Sequence, residues 1–261
     1  MTAKLDLQLD TVVLQIDESR AALWNKTKLG FQYLHKHYLD DYDWFLKADD
    51  DNYVIVENLR YMLSQYNPNT ALYFGNRFAT PVLEEGYMAG GGYILSKKAL
   101  QKFVENIANG TKCHQGEFED LELGRCLEHS AIFVDTRDDK HQQRFFPFGV
   151  LGHMQKSLNH DWYSWYQYYN VAQGNTSCCS DTSIAFHYVK PTEMYLLDYL
   201  IYKVHPFGLD DHSNEVLPKK LNIKDVINAS DVLSSSPNFR KHKNYHNLDP
   251  SEFVITLANE N

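Results

Sequence analysis

Ten residues constrain this chain more than any others: Trp44-Phe45-Leu46-Lys47-Ala48-Asp49-Asp50-Asp51-Asn52-Tyr53. The apolar, aromatic start reads as a buried strand, and that strand ends in three consecutive carboxylates. Adjacent like charges repel, and burying them unpaired is costly. At the C-terminal end of a strand they stand where α/β sheets bind ligands. A divalent cation turns the repulsion into attraction, and carboxylate oxygens suit magnesium or manganese. A solvated acidic turn explains the same residues, so the run alone leaves both readings open.

The flanking segments set the fold class. Thr11 to Ile16 alternates as a strand does. Leu23, Thr27, Phe31, Leu34 and Tyr38 recur at helical spacing, as do Val56, Leu59, Met62 and Leu63. Asn67-Pro68-Asn69 breaks the second helix, and Ala71 to Phe74 reads as another strand. Alternating helices and strands point to an α/β domain.

Gly86-Tyr87-Met88-Ala89-Gly90-Gly91-Gly92-Tyr93 removes side chains where main chain approaches a ligand closely, or makes an ordinary tight turn. Its spacing is wrong for the dinucleotide fingerprint. Ser96 reads as the cap of a helix burying Leu100, Phe103, Val104 and Ile107. The acidic run Glu117 to Gly124 reads as a helix start, where the dipole favours carboxylates and where a general base could also stand. Asp161 to Tyr166 is an aromatic cluster that suits either a sugar platform or core packing. Ser183 to Val189 reads as a strand carrying His187, and Pro191 opens a helix whose buried face is Met194, Leu197, Ile201 and Val204. From about Asp210 the chain turns polar, with Ser234-Ser235-Ser236-Pro237. The expected division is a domain over 1–210 and a poorly ordered tail over 211–261, with at most local helices.

Charge and cysteine usage narrow the class. A net charge of -9 argues against a nucleic-acid partner. No apolar run approaches the roughly 18 residues of a membrane helix, and the first residues lack the apolar core of a signal peptide. None of the cysteines sits in a CxxC pair, which argues against structural zinc. Cys113 and Cys126 flank the acidic segment and could close a small loop; Cys178 and Cys179 are adjacent. Sequons at Asn25, Asn109, Asn175 and Asn228 fit a secretory setting without requiring one.

Several motifs occur together and in order: Trp44 to Asp51, Tyr87 to Tyr93, Glu119 to Gly124, Cys178-Cys179-Ser180-Asp181 and Phe186 to Val189. The set resembles the core 1 β1,3-galactosyltransferase (T-synthase) family, within the fringe-like β1,3-glycosyltransferases. The resemblance covers roughly Thr11 to Leu209. It implies a GT-A-type, Rossmann-like glycosyltransferase domain. Such enzymes move galactose from UDP-galactose to the 3-hydroxyl of GalNAc on Ser or Thr, with inversion. They depend on manganese and work in the Golgi lumen on glycoprotein acceptors.

By motif, the resemblance makes Asp51 and His187 metal ligands, and Asp120 the base that deprotonates the acceptor. Asp49, Asp50, Gly90, Gly91 and Gly92 would form the nucleotide-sugar site, and Trp165 and Tyr188 would contact the acceptor. It also implies a Cys113–Cys126 disulfide and leaves a homodimer open.

The chain departs from the family pattern in four respects. Most of the first strand-helix-strand unit is missing, which would leave a sheet edge open. The membrane anchor is absent as well. The glycine run is one residue short. Finally, Asn52 stands where Thr is common, and Gly149 to His153 replaces a Pro-Glu-His-His run. The alternative to an enzyme is a non-catalytic partner or chaperone of one, or an inactive truncated paralogue. The aspartate triplet, His187 and Asp120 argue for enzyme ancestry, since a chaperone has no use for a metal.

Overall fold

The computed structural model describes residues 11–17, 19–110, 113, 115–154, 166–169 and 178–204, and the backbone of 253–258. Helix α1 (Leu23–Tyr38) leads into β1 (Trp44–Asp49), β2 (Tyr53–Val54) and α2 (Val56–Leu63). A long hairpin follows, β3 (Leu72–Thr80) and β4 (Leu83–Ser96), then α3 (Lys97–Asn109) and α4 (Glu119–Leu127). The short strands β5 (Ile132–Phe133), β6 (Phe145–Phe146) and β7 (Ala185–Phe186) come next, with α5 (Val150–Met154) between β6 and β7. Helix α6 (Pro191–Tyr202) and strand β8 (Phe253–Ala258) complete the described elements.

The main sheet has strand order β5-β3-β4-β1-β8, and a smaller sheet has order β2-β7-β6. Strand alternation sorts the main sheet's side chains onto two faces. Phe45, Tyr73, Tyr93 and Leu95 meet Trp24, Phe31, Leu100, Phe103 and Leu123 from α1, α3 and α4. On the other face Trp44, Leu46, Phe74 and Ile94 meet Leu59, Met62 and Leu63 of α2, and Phe145 of the smaller sheet. Both faces are covered, as in an α/β layered domain. β1 is therefore apolar on both faces up to Leu46, with Lys47 the one charged residue before its carboxylate tip.

Caps and breakers act where local chemistry predicts. The Ser96 hydroxyl accepts from Ala99 N at 3.1 Å and starts α3. Gly110, at φ 67°, ends it in the left-handed conformation that suits glycine. A disulfide joins Cys113 to Cys126 and pins the loop before α4 to that helix. Cys178 and Cys179 are bonded to each other.

Four expectations fail. Thr11 to Ile16 holds a single bridge residue, Val13, rather than a strand. The glycine run does not end a strand: it lies within the span of β4, whose pairing with β3 holds at Met88 and resumes, with β1 as well, at Tyr93. Between them Gly90, Gly91 and Gly92 take φ 60°, 61° and 81°, an irregular stretch that only glycine adopts without strain. On α6, Met194 and Leu197 pack inward, whereas Ile201 and Val204 are exposed, because the helix runs beyond the core it starts against. In the tail, residues 253–258 form a strand parallel to β1, with Trp44 opposite Phe253 and Asp49 opposite Ala258. That pairing gives β1 a second neighbour on the side where an open edge was expected. The rest of 211–261 lies outside the described residues.

Candidate metal centre and base helix

The aspartates sit on the turn between β1 and β2. Asn52 N donates to Asp49 O at 3.0 Å and closes the turn. With its amide oxygen toward the main chain, Asn52 accepts from Asp49 N and Gly92 N, both at 3.1 Å. The turn is thus fastened to the glycine run of β4. Opposite it lies the end of β7, since β2 pairs with β7 and Val189 N donates to Asp51 O at 2.9 Å. The expected strand over 183–189 is short, Ala185–Phe186, and His187 follows directly. Tyr188 takes φ 53°, a conformation uncommon for a non-glycine residue.

Two distant segments therefore meet. His187 Nε2 lies 3.2 Å from Asp51 Oδ1 and 4.0 Å from Asp49 Oδ2. One ligand atom from each of the three residues lies within 4.8 Å of the others. Asp51 Oδ1 and His187 Nε2 are buried without a hydrogen-bond partner, whereas Asp49 Oδ1 is taken by the Lys47 ammonium and its Oδ2 faces His187. Buried polar atoms are ordinarily satisfied, and these two orphans, with Asp49 Oδ2 beside them, form a donor set that a divalent cation completes. Burial first, and then Asp49 and Asp50, raise the Asp51 pKa, while His187 opposes them. A cation would relieve that repulsion. Asp50 itself is exposed and outside the cluster.

The glycines serve close packing. A Cβ on Gly90 would come within 2.6 Å of the Pro147 side chain, and one on Gly91 within 2.9 Å of Phe146 O. At Gly92 it would come within 2.7 Å of Lys47 O. Phe146 stacks on Phe186, with centroids 4.6 Å apart. Behind them His153 is buried, and its Nε2 accepts from Phe148 N at 3.2 Å. Burial lowers its pKa to about 4, so the imidazole stays neutral. The run that departs from the family pattern thus forms the back wall of the centre.

The acidic helix faces the same region. Gly124 lets α4 approach β4, since a Cβ there would come within 2.6 Å of the Tyr87 side chain. The four carboxylates of this segment have different surroundings. Glu117 is exposed. Glu122 is buried and bonded to Arg125 at 2.7 Å. Glu119 is buried, accepts from the Tyr93 hydroxyl and faces Lys47 Nζ at 3.6 Å. Asp120 accepts from Leu121 N at 2.8 Å. Burial, then Glu119, raise its pKa to about 7, against Leu121 N–H and Lys47. A carboxyl poised there exchanges a proton near neutral pH, as a general base must.

Tyr188 is exposed, and its ring stacks on His187 at 3.9 Å. Trp165 lies outside the described residues. Lys47, Tyr93 and Glu119 were not singled out as site residues from the sequence. The spacing Lys47-x-Asp49 is the signal, because residues two apart on a strand share a face.

Residues 8–138 match the family model described as Fringe-like. A Xenopus laevis protein, glycoprotein-N-acetylgalactosamine 3-beta-galactosyltransferase 1, is 40% identical over 213 residues, covering 80% of this chain and 59% of that protein. Human chondroitin sulfate synthase 3 is 33% identical over 112 residues, 39% of this chain and 13% of that protein. Mouse beta-1,3-glucosyltransferase is 24% identical over 151 residues, 56% of this chain and 30% of that protein. The chain thus spans 59% or less of the length of each of these relatives.

Proposed function

The chain belongs to the Fringe-like family, within its core 1 β1,3-galactosyltransferase group, and on that premise we propose that it transfers galactose from UDP-galactose to the 3-hydroxyl of GalNAc on Ser or Thr. The observation that carries the reading is the convergence of two orphaned atoms, Asp51 Oδ1 and His187 Nε2, with the Asp49 carboxylate, which Lys47 links to Glu119 of α4. Nothing in a purely structural turn requires that arrangement.

In this reading Asp51 and His187 hold manganese, with Asp49 beside them, and the ion supplies charge against the diphosphate when bound. Imidazole with carboxylate suits that metal. Asp50 and the main chain of Gly90, Gly91 and Gly92 shape the donor side. Asp120 takes the proton of the acceptor 3-hydroxyl. The oxygen forms its bond to the anomeric carbon as the bond to UDP breaks on the opposite side, and UDP leaves with the electron pair. Configuration inverts in one displacement. Glu119 and Glu122 are engaged elsewhere, by Tyr93 and Lys47 and by Arg125, so Asp120 is left for the proton. Tyr188 and Trp165 would meet the acceptor ring. The disulfides fit the oxidising Golgi lumen.

The test is transfer itself. The chain, incubated with manganese, UDP-galactose and a GalNAc-threonine peptide, should add one hexose that β1,3-specific galactosidase removes. Transfer from another nucleotide sugar in preference, or no transfer by folded protein, would overturn the reading.

A further inference from the structure

We propose that Lys47 is the positioning residue that couples the metal centre to the base helix. The inference rests on the transfer reading above. Lys47 lies on β1 opposite Tyr93 of β4, two residues before Asp49 and on the same face. Its ammonium pairs with Asp49 Oδ1, stands 3.6 Å from Glu119 Oε2 and lies 5.8 Å from the Tyr93 ring centroid. The Tyr93 hydroxyl donates to the other Glu119 oxygen, Oε1. A continuous ionic chain therefore runs from Asp49 through Lys47 and Glu119 to the start of α4, where Asp120 is the next residue.

Paired with Asp49 and facing Glu119, the Lys47 ammonium is held between two carboxylates. Its charge acts on both ends. At the metal end it engages one oxygen of Asp49 and leaves the other facing His187. At the base end it offsets Glu119, whose charge would otherwise hold a proton on Asp120. The groups that act on Asp120 are Glu119 on its own helix, Lys47 from β1, Tyr73 from β3 and Tyr87 from β4. The tyrosines are raised well above neutral, so Lys47 and Glu119 set the balance.

The experiment compares Lys47→Met, Lys47→Arg and Glu119→Gln in the full chain. In Lys47→Met the acid limb of kcat/KM should move upward by roughly 1–3 pH units, the span of one nearby opposite charge. Glu119→Gln should move it downward, and Lys47→Arg should restore it. Manganese binding to Lys47→Met should be retained or tightened, since Asp49 regains an oxygen. The same shifts should appear when the Asp120 carboxyl of metal-free protein is titrated by carbon-13 NMR, a readout independent of transfer. If the wild type transfers no galactose while the NMR shifts appear, the transfer reading fails and the coupling stands. An Asp120 titration unmoved in folded Lys47→Met would overturn the proposal. Should that variant not fold, an upward or absent shift in Glu119→Gln would overturn it alone.

Discussion

The two ends of the site are built on opposite principles. At the metal end, Asp51 Oδ1 and His187 Nε2 are buried and unpartnered beside the Asp49 carboxylate. At the base end, Glu119 and Glu122 are engaged by Tyr93, Lys47 and Arg125, and Asp120 is held by Leu121 N–H. One end is incomplete without an added charge; the other is satisfied by the chain itself. A buried polar set left open implies a ligand, whereas a closed network implies fixed geometry and a tuned proton affinity.

If the ends are separate devices, changes to one should spare the other. Asp120→Asn keeps size and polarity but removes the proton acceptor. Turnover should fall roughly 10²–10⁴-fold in single-turnover assays. Manganese and UDP affinity should hold; loss of UDP binding would collapse the distinction.

Gly90→Ala attacks the metal end through packing. The new Cβ meets Pro147, and Gly90 sits at φ 60°. The expected cost is about 2–5 kcal/mol, combining backbone strain with overpacking. Denaturant melts should record it, and the surviving folded protein should bind manganese more weakly. A variant as stable as the parent would show that the contact does not matter.

The Cys113–Cys126 disulfide tethers only the base end. Replacing both cysteines with serine should cost about 3 kcal/mol, the usual value for a loop of this length. The reduction should show as a lower melting temperature with manganese affinity unchanged. Alkylation of Cys113 in unreduced protein would refute the pairing itself.

The smallest effect is on pH. If Asp120 takes the proton as carboxylate, as proposed, kcat/KM should rise with pH through about 7. Below that limb each pH unit lowers the rate roughly tenfold. A cation at the other end favours the charged form and can only move the limb down. Because the folded-state value is raised, the stability contribution is fullest below the ordinary carboxylate range and is lost as pH rises toward 7. A flat profile from pH 5 to 8 would mean that another group takes the proton.

The sequence exposes local features and conceals non-local ones. Periodicity and capping made α1, α2 and α3 readable, and the apolar run made β1 readable, because neighbouring residues decide them. Val104 and Ile107 are the partly buried margin of α3, whose centre is Leu100 and Phe103. β4 was hidden because its glycines keep turn-like angles, and only the pairing on either side of them makes one strand of the segment. The nominated residues Asp49, Asp51 and His187 come together only through the pairing of β2 with β7. Lys47 was hidden because its partners Tyr93 and Glu119 depend on the β1–β4 register and on the seat of α4. Nothing in the polar composition of 211–261 announced a strand beside β1.

The central claim is that Asp49, Asp51 and His187 form one divalent-cation site. Electron paramagnetic resonance of free manganese, titrated into metal-free folded protein, tests it most directly. One ion should bind per chain. Asp51→Ala or His187→Ala should weaken it at least 10–100-fold, the loss typical even of an outer partner, while Asp120→Asn leaves it unchanged. Equal affinity in the parent and His187→Ala proteins would contradict the claim.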